Sequence, residues 1–233
     1  MKFIRNADIE IIAEQRLAEY ERKTLKTICV PVPLEKVLAK VYGLTVLWDE
    51  IEELPGETVL GGLKPEKRLI VLNQARFKLF EEKPGLERST LGHEAGHWEF
   101  DVDKGGLDYP TLFDRPDLVS GRRSSGDGDV EVFAGTDCAP KFLEGLRRRD
   151  TADQERIANR FAAALSMPAK LVKHAGEEFN FMHWPDLYKM AKVFEVNISA
   201  LTVRLQQLGY IYIDGNKQFH RSIAEAQGQQ QLF

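Results

Sequence analysis

Cysteine is scarce: Cys29 and Cys138 are the only two in a chain of 233 residues. That excludes a disulfide framework, and it leaves too few thiolates for a structural zinc site built mostly from Cys. Long apolar runs are missing too. No stretch approaches the roughly 18 residues that a membrane-spanning helix needs, and the chain turns charged at Lys2 and Arg5, too early for a secretory leader. The expectation is a cytoplasmic protein with no membrane partner. An excess of one charge is absent as well, since 32 basic against 36 acidic residues leave a net −4. Such a balance does not hold nucleic acid by bulk charge. What is present is enough to bury a core: 43% of residues are hydrophobic and 29% charged. Histidine is sparse at five, and two of the five stand four residues apart.

Hydrophobic spacing predicts an amphipathic helix over 7–26, with Ile9, Ile12, Leu17, Tyr20 and Leu25 on one stripe. Pro31 and Pro33 then break the chain, and Pro33 suits the first turn of a short helix over 34–42 that Gly43 ends. Strand-like pieces at 45–48, 58–63 and 68–73 read as a small three-stranded antiparallel sheet, with turn formers at Lys64-Pro65-Glu66-Lys67. Helical pattern resumes over 74–80 and 86–100. The stretch 101–150 is rich in glycine and proline and reads as an irregular insertion. Thr151 and Gln154 form a capping-box pattern, which predicts a helix from 151 to 166 closed by Met167-Pro168. Two helices, 186–194 and 199–208, and two short strands, 210–213 and 217–220, complete the pattern before a glutamine-rich end. Its last residues, Gln229-Gln230-Gln231-Leu232-Phe233, resemble the Gln-x-x-Leu-Phe peptides that dock on the bacterial sliding clamp, a pattern such an end matches cheaply.

The chemistry lies in His93-Glu94-Ala95-Gly96-His97, an H-E-x-x-H motif inside a segment that reads as helix. Residues four apart stack on one helix face, so the two imidazoles can hold one metal ion. Zinc suits imidazole, and it makes water more acidic. Glu94, about 100° around the helix from His93, is then placed to take the water's proton as general base. Gly92, Ala95 and Gly96 are small and permit close packing around the site. A third ligand must come from elsewhere. The metzincin continuation fails, because Phe100 and Asp103 stand where it requires Gly and His. Glu155 is one candidate, with Asn159 one turn later on the same face to orient a ligand. The alternative for Glu155 is an ordinary first-turn glutamate favoured by the helix dipole. Asp101, Asp103, Asp108, Glu131 and Asp137 offer competing oxygens.

These blocks are similar to those of the ImmA/IrrE family of zinc metallopeptidases. The resemblance runs over about 30–210. It rests on Val30-Pro31-Val32-Pro33, on Arg68-Leu69-Ile70-Val71-Leu72-Asn73, and above all on Arg88-Ser89-Thr90-Leu91-Gly92-His93-Glu94-Ala95-Gly96-His97 followed by Glu155-Arg156-Ile157-Ala158-Asn159-Arg160-Phe161-Ala162-Ala163-Ala164-Leu165-Ser166-Met167-Pro168. It implies Zn2+ held by His93, His97 and Glu155, with Glu94 as general base. It implies an α+β, zincin-like fold with the sheet packed on the metal-bearing helices and a helical C-terminal segment. The implied substrate is a protein, and characterised members cut helix-turn-helix repressors of mobile-element or stress genes. Two departures stand out: 58 positions separate His97 from Glu155 because of the 101–150 stretch, and residues 1–29 have room for one helix where many members carry a DNA-binding helix-turn-helix. The expected organisation is an N-terminal helix (1–29), a peptidase domain with an insertion (30–184), a helix-turn-helix-like segment (185–220) and a tail (221–233).

A peptidase of this kind also needs a donor for the oxyanion of the tetrahedral intermediate, and His174, His183, Tyr109 and Tyr188 are the candidates. The C-terminal helix pair invites a DNA-binding reading, but its second helix carries one basic residue, Arg204, where groove-reading helices bring several. The reading is therefore a zinc endopeptidase rather than a nucleic-acid binder. Its rival is a non-catalytic regulator or protein-binding module with a vestigial metal site.

Overall fold

In α1 (Asn6–Thr24), Ile9, Ala13, Leu17 and Tyr20 recur every three or four residues and are all buried. Leu25 ends the helix in the left-handed conformation. The computed structural model describes residues 4–54, 56, 58–83, 85–102, 120–123 and 141–227, the backbone alone at 120–123 and 141–151. Tyr109, Asp103, Asp108, Glu131, Asp137, Cys138 and the Gln229–Phe233 pattern, all weighed above, lie outside them. After α1, α2 (Leu34–Val37) continues as a π-helical turn, Leu38–Tyr42, which Gly43 closes at φ +66°. Glycine adopts that conformation without a Cβ penalty.

The sheet is mixed, which corrects the antiparallel expectation. β2 (Val59–Lys64) and β3 (Leu69–Asn73) form the antiparallel hairpin around Pro65–Lys67, but β1 (Thr45–Asp49) pairs parallel to β3. A fourth strand, β4 (Ser120–Arg123), adds antiparallel to β2, giving the order β1-β3-β2-β4. The physical reason is the connection 50–58. It is too long for a tight turn, so β1 is not forced to pair with β2. Buried Asn73 pins both ends of that connection: its amide donates to the Val59 carbonyl (2.8 Å) and its Oδ1 accepts from the Ile51 N–H (3.3 Å). The crossing chain is thus tied over the end of β3.

After α3 (Phe77–Glu82), α4 (Leu86–Phe100) crosses the sheet, and every residue from Thr90 to Trp98 is buried. A helix hidden on all sides needs a partner on its far side, and that partner is α5 (Lys141–Ser166). The sequence reading started this helix at Thr151. It begins ten residues earlier, at Lys141, inside the stretch that reads as irregular. Leu143, Glu144, Leu146 and Arg147 to Arg149 are strong helix formers, and no proline stands between Pro140 and Pro168, so the helix runs through the capping-box residues. α1 packs against α5 as well, and its apolar stripe joins the core that α4, α5 and the sheet share.

The chain then forms α6 (Ala169–Ala175), α7 (Trp184–Phe194), α8 (Ile198–Gln207), a small hairpin of β5 (Tyr212–Ile213) and β6 (Phe219–His220), and α9 (Ile223–Ala226). Met167, Val172, Leu187, Met190, Phe194, Leu201, Leu205 and Ile211 make a second core. Arg204 is fully buried beneath it. Its guanidinium is bidentate to Glu10 of α1 (2.7 and 2.8 Å), and its Nε donates to the Met167 carbonyl (2.9 Å). The architecture is α+β. Among the described residues, no helix is long and apolar enough to cross a membrane.

Candidate metal centre

The crossing of α4 on α5 sets the site. A Cβ on Gly92 would lie 3.1 Å from the Ala162 Cα, and one on Gly96 only 2.6 Å from the Ala158 Cα. Positions 92 and 96 therefore face 162 and 158: the helices run antiparallel, in contact through residues with almost no side chain. The backbones come close enough for side chains on the adjoining stripes to meet. On α4 that stripe is His93 and His97, and on α5 it is Glu155 and Asn159, each pair one turn apart.

The two imidazoles and the carboxylate converge. His93 Nε2 lies 3.0 Å from His97 Nε2, and the Glu155 oxygens lie 3.1 Å from His93 Nε2 and 3.3 Å from His97 Nε2. The opposite ring nitrogens face oxygens: His93 Nδ1 is 3.0 Å from Asn159 Oδ1, and His97 Nδ1 is 2.6 Å from Asp101 Oδ2. An acceptor at Nδ1 selects the Nδ1–H tautomer and leaves the Nε2 lone pair pointing at the cluster. Two nitrogen lone pairs and a carboxylate aimed at one point repel each other unless a cation or protons lie between them. These three residues could hold a metal ion, and their ligand atoms all lie within 4.8 Å of one another. Tetrahedral ligands at ordinary zinc distances stand about 3.3 Å apart, close to the spacing observed.

The electrostatics of the cluster agree. Burial pushes His97 down, but its bonds to the Asp101 and Glu155 carboxylates and the nearby charge of Glu94 outweigh this and hold it up at about 10. Burial pushes Glu155 up, yet the two imidazoles pull it down to about 2. The carboxylate demands positive charge beside it. Glu94 is fully buried on α4, near enough for its charge to act on His97.

The residues proposed from sequence fall into three groups. His93, Glu94, His97, Glu155 and Asn159 come together. Glu155 is an interior residue of α5, which removes the first-turn alternative. Asp101, weighed as a competing ligand oxygen, sits instead on the Nδ1 side of His97, and the sequence signal for that role was its i,i+4 spacing from His97. The oxyanion candidates with described positions make local contacts: His174 with Glu177 (3.1 Å), His183 with Asp186 (3.2 Å), and Tyr188 with the Trp184 ring. Both histidine side chains are more than half exposed, and Tyr188 is 53% exposed.

Compared with known proteins, the chain matches no protein-family model and no curated protein.

Proposed function

We propose that the chain is a zinc-dependent endopeptidase of the ImmA/IrrE kind, acting in the cytoplasm on a protein substrate, with a helix-turn-helix repressor as the substrate class that the resemblance implies. The observation that carries this reading is the convergence of His93 Nε2, His97 Nε2 and Glu155 at 3.0–3.3 Å, with Glu94 buried beside them. Two imidazoles and one carboxylate are the donor set of catalytic zinc, and three protein ligands leave a coordination position open. Structural zinc fills four positions with protein, whereas among the described residues this cluster numbers three.

Zinc bound there would supply a Lewis acid for the scissile carbonyl and for water. The rest falls to the protein. His93, His97 and Glu155 would hold the ion. Asn159 and Asp101 hold the two imidazoles with Nε2 turned inwards. Glu94 takes the proton from the attacking water and passes it to the leaving amine. Its burial keeps bulk water away from that transfer and strengthens each charge interaction.

The test pairs two measurements. Zinc stoichiometry is expected at one per chain for wild type and near zero for His97→Ala. Wild type is expected to cut a helix-turn-helix repressor encoded beside it, while Glu94→Gln holds zinc and cuts nothing. A wild type that holds zinc and is as inactive as Glu94→Gln overturns the peptidase reading and leaves the regulator reading.

A further inference from the structure

We propose that Asp101 is a positioning residue of the metal centre that makes His97 the stronger of the two imidazole ligands, an inference that rests on the metal reading above. The two histidines are alike in sequence context but not in what stands behind them. His93 Nδ1 faces the neutral amide oxygen of Asn159, across the helix crossing, at 3.0 Å. His97 Nδ1 faces a carboxylate on its own helix at 2.6 Å. A charged acceptor at that distance forms the shorter and stronger bond. It draws the Nδ1 proton towards itself and leaves Nε2 more basic, hence a better donor to a cation, than an amide does.

Asp101 grips His97 twice. As the residue that ends α4, it donates its backbone N–H to the His97 carbonyl (2.9 Å), while its side chain holds the ring. Both contacts lie within one turn of α4, so Asp101 orients the His97 ring from its own helix, while Glu155 of α5 meets the ring only at Nε2 (3.3 Å). His93, by contrast, is oriented by Asn159, on the helix that also brings Glu155. Asp101 is not a fourth ligand, because its carboxylate meets the ring on the side opposite to the converging nitrogens. Its side chain is 23% exposed, so it can be replaced without opening a cavity in the core.

The experiment uses the full chain as wild type, Asp101→Asn and Asp101→Ala. Zinc affinity is read by competition with a chelator, ligand geometry by the visible absorption of the Co2+-substituted protein, and folding by circular dichroism. Asp101→Ala is expected to weaken zinc by about 10- to 100-fold and to shift the cobalt bands. Asp101→Asn keeps an acceptor oxygen of the same shape without its charge, so it is expected to recover part of the loss and to shift the bands less. It also decides the matter if the alanine variant does not fold. Wild type that binds one zinc, with affinity and cobalt spectrum unchanged in both variants, overturns the role of Asp101 and leaves the metal reading standing. Wild type that binds neither zinc nor cobalt overturns both.

Discussion

Gly96 and Ala158 lie so close across the α4–α5 crossing that a Cβ on the glycine would sit 2.6 Å from the alanine Cα and 2.9 Å from its carbonyl oxygen. Those are backbone atoms, which cannot swing aside. Glycine inside a helix costs about 1 kcal/mol against alanine, so Gly96→Ala in an open helix would stabilise. Here the sign reverses. Overpacking is expected to cost more than the propensity gains, for a net loss of about 2 kcal/mol in urea unfolding of the metal-free protein. Because the displaced turn of α5 carries Glu155 and Asn159, zinc affinity should fall by at least about tenfold. Gly92→Ala meets the Ala162 Cα at the looser 3.1 Å, and its net effect should stay within about 1 kcal/mol.

The ion-free cluster should leave a mark on stability against pH. His97, raised from 6.5 to about 10, contributes stability that is full below pH 6.5 and is lost as pH rises towards 10. Glu155, lowered from 4.5 to about 2, contributes stability that is full above pH 4.5 and is lost as pH falls towards 2. Chelator-treated protein should therefore hold both contributions between about pH 4.5 and 6.5 and lose the His97 part on the alkaline side. A bound cation must displace the proton on His97. Zinc should accordingly bind more weakly at pH 6 than at pH 8, and zinc-loaded protein should melt with less loss across pH 7–9. Thermal melts of both forms over pH 5–9 check this, and parallel curves would refute it.

The pentapeptide His93–His97 was legible in the sequence because both imidazoles come from one helix and local geometry alone brings them together. Glu155 was legible only as a candidate. It lies 58 positions on, and the apposition of Gly92 with Ala162 and of Gly96 with Ala158, which delivers it, is a tertiary fact. Asn159 followed from Glu155 by helix period. Asp101 is legible only as one of several candidate oxygens, since spacing names a neighbour of His97 without saying which ring nitrogen it meets. In the fold, the elements of the core were readable from their periods. The direction of β1 was not, because alternation identifies a strand but not its partner. The start of α5 is not legible from the capping pattern at Thr151, because the helix formers before it carry the helix on through those residues.

Asn73 should be the most sensitive polar residue of the sheet. It is fully buried and binds Val59, Ile51, Glu53 and Ala75, so that one side chain ties the β1–β2 connection to the end of β3. Glu53 is itself paired with Arg76, which holds its carboxyl below the ordinary carboxylate range. Asn73→Ala leaves the Val59 carbonyl without this donor and is expected to cost about 2–3 kcal/mol. Asn73→Asp should be worse, because it sets a carboxylate against the Val59 carbonyl and the Glu53 carboxylate. Urea unfolding measures the loss, and amide exchange over 50–59 should quicken first.

Arg204 offers the sharpest separation of a structural cation from a nucleic-acid-binding one. It is the basic residue of α8 that a DNA-binding reading would send to a phosphate, yet it is fully buried and bidentate to Glu10, whose Oε1 also lies 3.3 Å from Arg160 of α5. Glu10→Ala strands a buried guanidinium and is expected to cost about 3–5 kcal/mol. Arg204→Leu removes the charge together with its need for a partner, so it should cost less. Adding Glu10→Leu to Arg204→Leu should cost less than the sum of the two single changes, because the charges are replaced as a pair. The cycle is read in urea unfolding. Strict additivity would mean that the ion pair contributes nothing to holding α1 against α8.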